Sequence, residues 1–302
     1  MRYAVILMAG LALAQDTLAP VERLIADGKH QAALETLEKH PAHSVRWHLL
    51  ASKAYEGAND PAHAVSQAEA ALQMEPRNEA AHLQLGQIFL SHNTPRAALE
   101  VFSEAQQLFP QSFLIRLGRG LALKEIARYD ESAGELRECL RQQPSSGIAF
   151  DALATVLLQS SRFEEVQQVS ETYSNRNPAD YRGYFYMAAG REGAGLPDDL
   201  SLKLLKKSLQ LNPAFAASLS LLGKILLRQN SLLEAALVLE RSLALRPDHV
   251  PSHMTLANVY RKLGREADAA REFQSIREIH EKERQPIPSL LYHRGKPTAQ
   301  TP

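Results

Sequence analysis

At 302 residues with 45% hydrophobic side chains, the chain is long enough to bury a sizeable core. Its 34 Lys plus Arg balance 34 Asp plus Glu, so it lacks the net field that draws a protein onto nucleic acid or an anionic membrane. Aromatic residues make up only 6%, and Ala, Leu, Glu, Gln and Arg dominate, a helix-forming composition that predicts an all-α fold.

The first residues, MRYAVILMAGLALA, place one Arg before an uncharged apolar stretch that closes on Ala12-Leu13-Ala14. This small-x-small ending predicts a signal peptide over 1–14, cleaved before Gln15. A buried first helix is the competing reading. The apolar run from Tyr3 to Ala14 is shorter than the roughly 20 residues that span a bilayer. The expected product is therefore periplasmic or secreted, with no membrane insertion after cleavage. No Cys stands at the cleavage point to carry a lipid anchor. The single cysteine, Cys139, excludes an intramolecular disulfide and falls among apolar helical residues, where a buried filler is expected.

Beyond the leader the chain is periodic. Pro76, Pro110, Pro144, Pro178, Pro213 and Pro247 recur at spacings of 34 or 35 residues, each after an amphipathic run. Proline cannot continue a helix, so each marks a helix end. Within a unit, two helical patterns flank a short polar turn: Ala80 to Leu90, then Ser91-His92-Asn93-Thr94, then Pro95 to Leu108. Pro95 and Pro61 occupy the start of a second helix, where the missing N–H is not needed. Each unit thus reads as a helix hairpin.

A hairpin cannot bury its apolar stripe alone, and close stacking needs small residues where backbones meet. They occur in the first helices at Ser52, Gly86, Gly120, Ala154, Ala189, Gly223 and Ala257, and in the second at Ala64, Ala98, Ser132, Ser201, Ala235 and Ala269. Ala71, Ala105, Ser208 and Ser242 repeat the choice seven places on. Tyr55, Phe89, Phe102, Leu239, Tyr260 and Phe273 are the large fillers. In these residues the chain resembles the tetratricopeptide repeat family. The resemblance implies a right-handed α-solenoid of about eight stacked helix-turn-helix hairpins. One shortened hairpin falls in 15–44, with Gly28-Lys29-His30-Gln31-Ala32-Ala33-Leu34 as its turn and second-helix start. Seven repeats then span 45–283. The remaining 284–302 hold four prolines and no period, and read as a mostly disordered tail with Ser289-Leu290-Leu291-Tyr292 as its apolar element. Val166 and Tyr173 break the small-residue rule, and the unit at 181–215 carries one extra residue with the turn Gly193-Ala194-Gly195-Leu196-Pro197. Together these predict a looser joint there.

No Walker loop, dinucleotide fingerprint, zincin motif, nucleophile elbow or paired-cysteine motif occurs, so the expectation is a non-enzyme with no cofactor and no metal. Histidines crowd the first third as His30, His40, His43, His48, His63, His82 and His92, and His249 and His253 have i, i+4 spacing. Turns and solvated faces account for them better than a shared ion.

The family resemblance implies that first helices line a concave face that holds another protein or peptide. Carried over to this chain, one half of that face has Leu49, Lys53, Leu83, Gln87, Leu117, Leu121 and Lys124. The other has Ser220, Lys224, Leu227, Arg228, Thr255, Asn258, Arg261 and Lys262. The first set reads as apolar and the second as polar and basic. The family's chaperone-tail clamp is not implied, because Leu83 and Gly118 stand at its positions. The expected function is a cell-envelope scaffold or adaptor. A regulatory or substrate-presenting subunit of an envelope assembly enzyme is the alternative, and neither the partner nor the oligomeric state is legible.

Overall fold

The structure is a computed structural model that describes residues 18–39 and 44–283. The predicted leader over 1–14, His40, His43 and the predicted tail over 284–302 lie outside the described residues. Those described form sixteen helices and no strand, in eight successive hairpins. The first pairs α1 (Ala19–Ala26) with α2 (His30–Glu38), and the second α3 (Val45–Gly57) with α4 (Pro61–Met74). Then follow α5 (Glu79–Ser91) with α6 (Pro95–Leu108), and α7 (Phe113–Glu125) with α8 (Tyr129–Gln142). The next are α9 (Gly147–Gln159) with α10 (Phe163–Arg176), and α11 (Tyr181–Gly193) with α12 (Asp198–Leu211). The last are α13 (Ala216–Arg228) with α14 (Leu232–Leu245), and α15 (Val250–Lys262) with α16 (Glu266–Glu283). None is long and apolar enough to cross a membrane.

The helix ends have local causes. Each proline of the ladder stands two residues past the last helical residue of α4, α6, α8, α10, α12 or α14. Pro61 and Pro95 are the first residues of α4 and α6. Side chains of Ser44, Asp60, Asn78, Ser146 and Asp180 accept backbone N–H bonds that the first turns of their helices leave open. The turn inside every hairpin is one motif. A residue in the left-handed region (Gly28, Asn59, Asn93, Ala127, Ser161, Gly195, Asn230 or Gly264) directs the chain back. The next N–H then bonds a carbonyl five residues upstream, as Thr94 does to Phe89 at 2.8 Å.

The chain divides into two compact units within α7, one ending at Ala122 and the other beginning at Leu123. In the first unit, Phe102 of α6 is buried between two glycines. A Cβ at Gly86 of α5 would lie 2.4 Å from its ring, and one at Gly118 of α7 2.5 Å. Leu85, Ile88, Phe89, Val101 and Ile115 fill the space around it. In the second unit, Phe150, Leu153 and Leu157 of α9 are buried along with Leu136 and Cys139 of α8. Cys139 is thus the filler that its register suggests.

One expectation is corrected here. The small residue of α11 is Ala188, fully buried, while Ala189 is half-exposed. The inserted residue lies downstream, in the turn before α12, so the first helix keeps the register of its neighbours. Val166 and Tyr173, the large residues of the expected looser joint, are both buried. Gly190 of α11 faces Val166, and a Cβ on it would sit 3.1 Å from the valine. Tyr173 stacks on Phe150 with centroids 3.9 Å apart and donates from its hydroxyl to Asp180 at 2.6 Å. The small residues have moved to the facing helix.

Candidate functional site

Within each unit, first helices contact one another: α1 with α3 and α3 with α5, then α9 with α11, α11 with α13 and α13 with α15. The backbones of α10, α12, α14 and α16 stay farther apart from each other. Within each unit first helices therefore form a wall, and the second helices of the second unit leave grooves between them.

In the first unit, Lys53 and Gln87 are exposed on that wall, and Leu49 and Leu121 are half-buried. Leu83 is half-buried and packs on the core around Phe89. Leu117 is buried, with 6% of its surface open, because it faces inward from α7. The expected apolar strip is thus much reduced, since Leu117 serves the core.

In the second unit, Lys224, Leu227 and Arg228 of α13 meet Asn258, Arg261 and Lys262 of α15 around a depression of about 600 Å³ that Glu266 also lines. Ser220 is buried below it. Thr255 donates to the carbonyl of Pro251, and Lys124 pairs with its neighbour Glu125. The expected basic character needs correction. Arg228 grips both oxygens of Glu192 at 2.9 and 2.6 Å and also pairs with Asp198. Lys224 reaches the same Glu192 at 3.1 Å. The Arg228 hydrogen bonds, aided by Lys224, pull the Glu192 carboxyl down from 4.5 to about 2 and push the guanidinium up. Two of the four bases are therefore neutralised within the chain. Arg261 and Lys262 remain exposed and make no ion pair among the described residues.

Sequence reasoning missed another part of the second unit's wall. Tyr186 of α11 donates to Asp151 of α9 at 2.9 Å, and its hydroxyl also meets Thr155 at 2.9 Å. Burial and the nearby Asp151 charge hold the phenol above its usual range. Asp151 and Thr155 occupy the fifth and ninth places of α9, as Ser220 and Lys224 do in α13, so the same register could have found them.

Six histidines are separately engaged, His82 and His253 among them buried and not on solvated faces as expected, while the buried Nδ1 of His30 has no hydrogen-bond partner. His48 bonds Gln67, His63 bonds Asp60, His82 the Asn78 carbonyl and His92 Glu56. His249 meets Ser252, and His253 joins Glu272 to the Pro247 carbonyl. Among the described residues, no three His, Cys, Asp or Glu side chains converge as a metal site.

A tetratricopeptide repeat family model matches residues 49–113, 199–250 and 221–283. Among solved structures, the chain is similar to a tetratricopeptide repeat protein from Parabacteroides merdae ATCC 43184. That likeness has a TM-score of 0.66 at 16% identity, over 80% of this chain and 97% of that one. It is also similar to the C-terminal part of a TPR repeat-containing protein from Cytophaga hutchinsonii, with a TM-score of 0.58 at 13% identity over 78% and 98% of the two chains. A third likeness is to the Cut9–Hcn1 hetero-tetramer of the APC/C, with a TM-score of 0.58 at 16% identity over 79% and 48%. At these identities the likeness is one of fold. No curated protein matches the chain significantly.

Proposed function

Because this chain belongs to the tetratricopeptide repeat family, whose stacked hairpins are protein-interaction scaffolds, we propose that it is a cell-envelope adaptor holding an extended segment of another protein against its first helices. It acts by binding, with no catalytic step. The observation that carries this reading is the depression where α13 and α15 meet. The Asn258 amide can donate to and accept from a peptide backbone. Arg261 and Lys262 offer charge to a partner carboxylate, and Leu227 offers apolar surface. Lys224 and Arg228, tied to Glu192, hold the floor of the depression in place. The envelope setting rests on the leader over 1–14 and on the near-neutral chain that its removal leaves.

The test is a pull-down from an envelope extract with the mature chain, followed by titration of the recovered partner against R261E/K262E. The variant should lose affinity most at low salt. Unchanged affinity in a folded variant would move the binding surface elsewhere. Protein from the native source should begin at or near Gln15; an intact Met1 on wholly cytoplasmic protein would remove the envelope assignment.

A further inference from the structure

The side of the second helices carries a groove of its own. Between α12 and α14 lies a cavity of about 450 Å³, floored by Leu202, Leu209, Pro213 and Leu222 and walled by Lys206 on one side and Arg241 on the other. The ridge of α12 beside it presents Lys203, Lys206 and Lys207, whose i, i+3, i+4 spacing puts all three on one exposed face. None of these lysines, nor Arg241, pairs with a carboxylate among the described residues. The ridge of α14 adds Leu233 and Leu237, 76% and 60% exposed, large apolar side chains that the fold leaves in water. Exposed acids on these helices are few. Asp199 and Glu234 stand in the first turns of α12 and α14, and Glu240 accepts a bond from the Tyr260 hydroxyl.

A comparable groove exists two repeats earlier. Arg137, Leu140, Pro144, Leu153 and Thr172 there occupy the register places of Lys206, Leu209, Pro213, Leu222 and Arg241. In that copy, however, Arg137 is held by Glu165, which two arginines bring below its usual range, and an uncharged Thr172 takes the place of Arg241. Arg176, exposed and without an ion pair among the described residues, is the one free base lining the earlier groove, whereas Lys206 and Arg241 leave both walls of the later groove positive. Stacking accommodates either arrangement, so it does not require the charge on both walls of the later groove.

We propose that the groove between α12 and α14 is a second docking site, which takes an acidic protein segment bearing a bulky apolar side chain. The apolar side chain enters between Leu202, Leu209 and Leu222, and flanking carboxylates meet Lys206 and Arg241 from the two walls. Leu237 and the α12 lysines extend the contact along both ridges. A narrow walled slot fits an inserted side chain better than a flat lipid surface, so a protein segment is the occupant.

The test pans a displayed library of random twelve-residue peptides on the purified full chain and measures the enriched peptides by fluorescence polarisation. Enriched sequences should combine Asp or Glu with a Leu, Phe or Met. Their affinity should fall at least tenfold in K206E/R241E and stay within twofold in R261E/K262E. K206Q/R241Q, which leaves exposed uncharged side chains at both places, should show an intermediate loss that shrinks at high salt. The proposal is overturned if no peptide is enriched, if the enriched peptides lack acidic residues, or if K206E/R241E binds them as the parent does. It is equally overturned if R261E/K262E abolishes binding, or if the chain selects no peptide and instead sediments with phosphatidylglycerol vesicles.

Discussion

Phe102 is the side chain whose surroundings make the strongest quantitative demand. Its ring is buried with Gly86 on one side and Gly118 on the other, and added Cβ atoms would come within 2.4 and 2.5 Å of it. In an isolated helix Gly86→Ala would gain about 1 kcal/mol from backbone propensity. Here the new methyl meets a ring that cannot retreat, because Gly118 is already against its other side, and overpacking of this kind costs about 1–3 kcal/mol. A net destabilisation of up to about 2 kcal/mol follows. In a Phe102→Leu background the clash is relieved and the propensity gain remains, so Gly86→Ala should become neutral or stabilising. The two substitutions then couple by about 1–3 kcal/mol. Amide hydrogen exchange over α5 and α6 reads the local opening free energy in the parent, both single variants and the double. Additivity within about 0.3 kcal/mol, or a Gly86→Ala effect of the same sign and size in both backgrounds, would refute the clamp.

The Glu192 carboxyl, held near 2 against an ordinary 4.5, binds fewer protons folded than unfolded between those values. Its contribution is therefore complete above about pH 4.5 and is lost as pH falls toward 2; exchange protection of α11 and α13 should drop less between pH 6 and pH 3 in Glu192→Gln than in the parent. Ala98 and Ala235 are fully buried at close helix contacts, so Ala98→Leu and Ala235→Leu should each cost about 1–3 kcal/mol in denaturant melts. Ala127 and Ser161 hold φ of 59° and 57°, where a side chain costs about 1–2 kcal/mol and glycine almost nothing. Ala127→Gly and Ser161→Gly should accordingly raise the melting temperature, and Asn93→Gly, at a residue that tolerates this region, should raise it less.

The hairpins were legible because their punctuation is local. A proline stops a helix wherever it stands, and a left-handed turn residue reverses the chain with bonds to its own preceding turn. Ala189 was misread for Ala188 because an inserted residue in the 194–197 turn shifts every count made backward from α12. Leu117 was misread because the exposed stripe of a first helix is narrow, and its register place, half-buried at Leu49 and Leu83, is buried in α7. Charge on the first-helix wall was the least legible quantity. Glu192 and Asp198 lie more than 25 residues from the bases that they neutralise, and only the stacking of α11 on α13 brings them together. The α12–α14 groove escaped notice for a similar reason, since its walls belong to helices of different repeats.

The exchange of bulk between Val166 and Gly190 bears on how such a chain can be recombined. By register, Ala64 stands opposite Ile88, Ser132 opposite Val156, Ser201 opposite Ile225 and Ala235 opposite Val259, one small and one large side chain at each of these four junctions, while Ala33 opposite Ala54 and Ala98 opposite Ala122 pair two small ones. At 166 and 190 the sizes are reversed. A gene duplication or designed chimera that moved the α9–α10 hairpin alone to a place before α5, α9, α13 or α15 would set Val166 against an isoleucine or valine and overfill the junction. Carried together with α11, it would bring its own vacancy. In this array the portable module is therefore the junction and not the hairpin, and splice points are tolerated best inside turns such as 194–197, where no side chain has been sized to fit a neighbour.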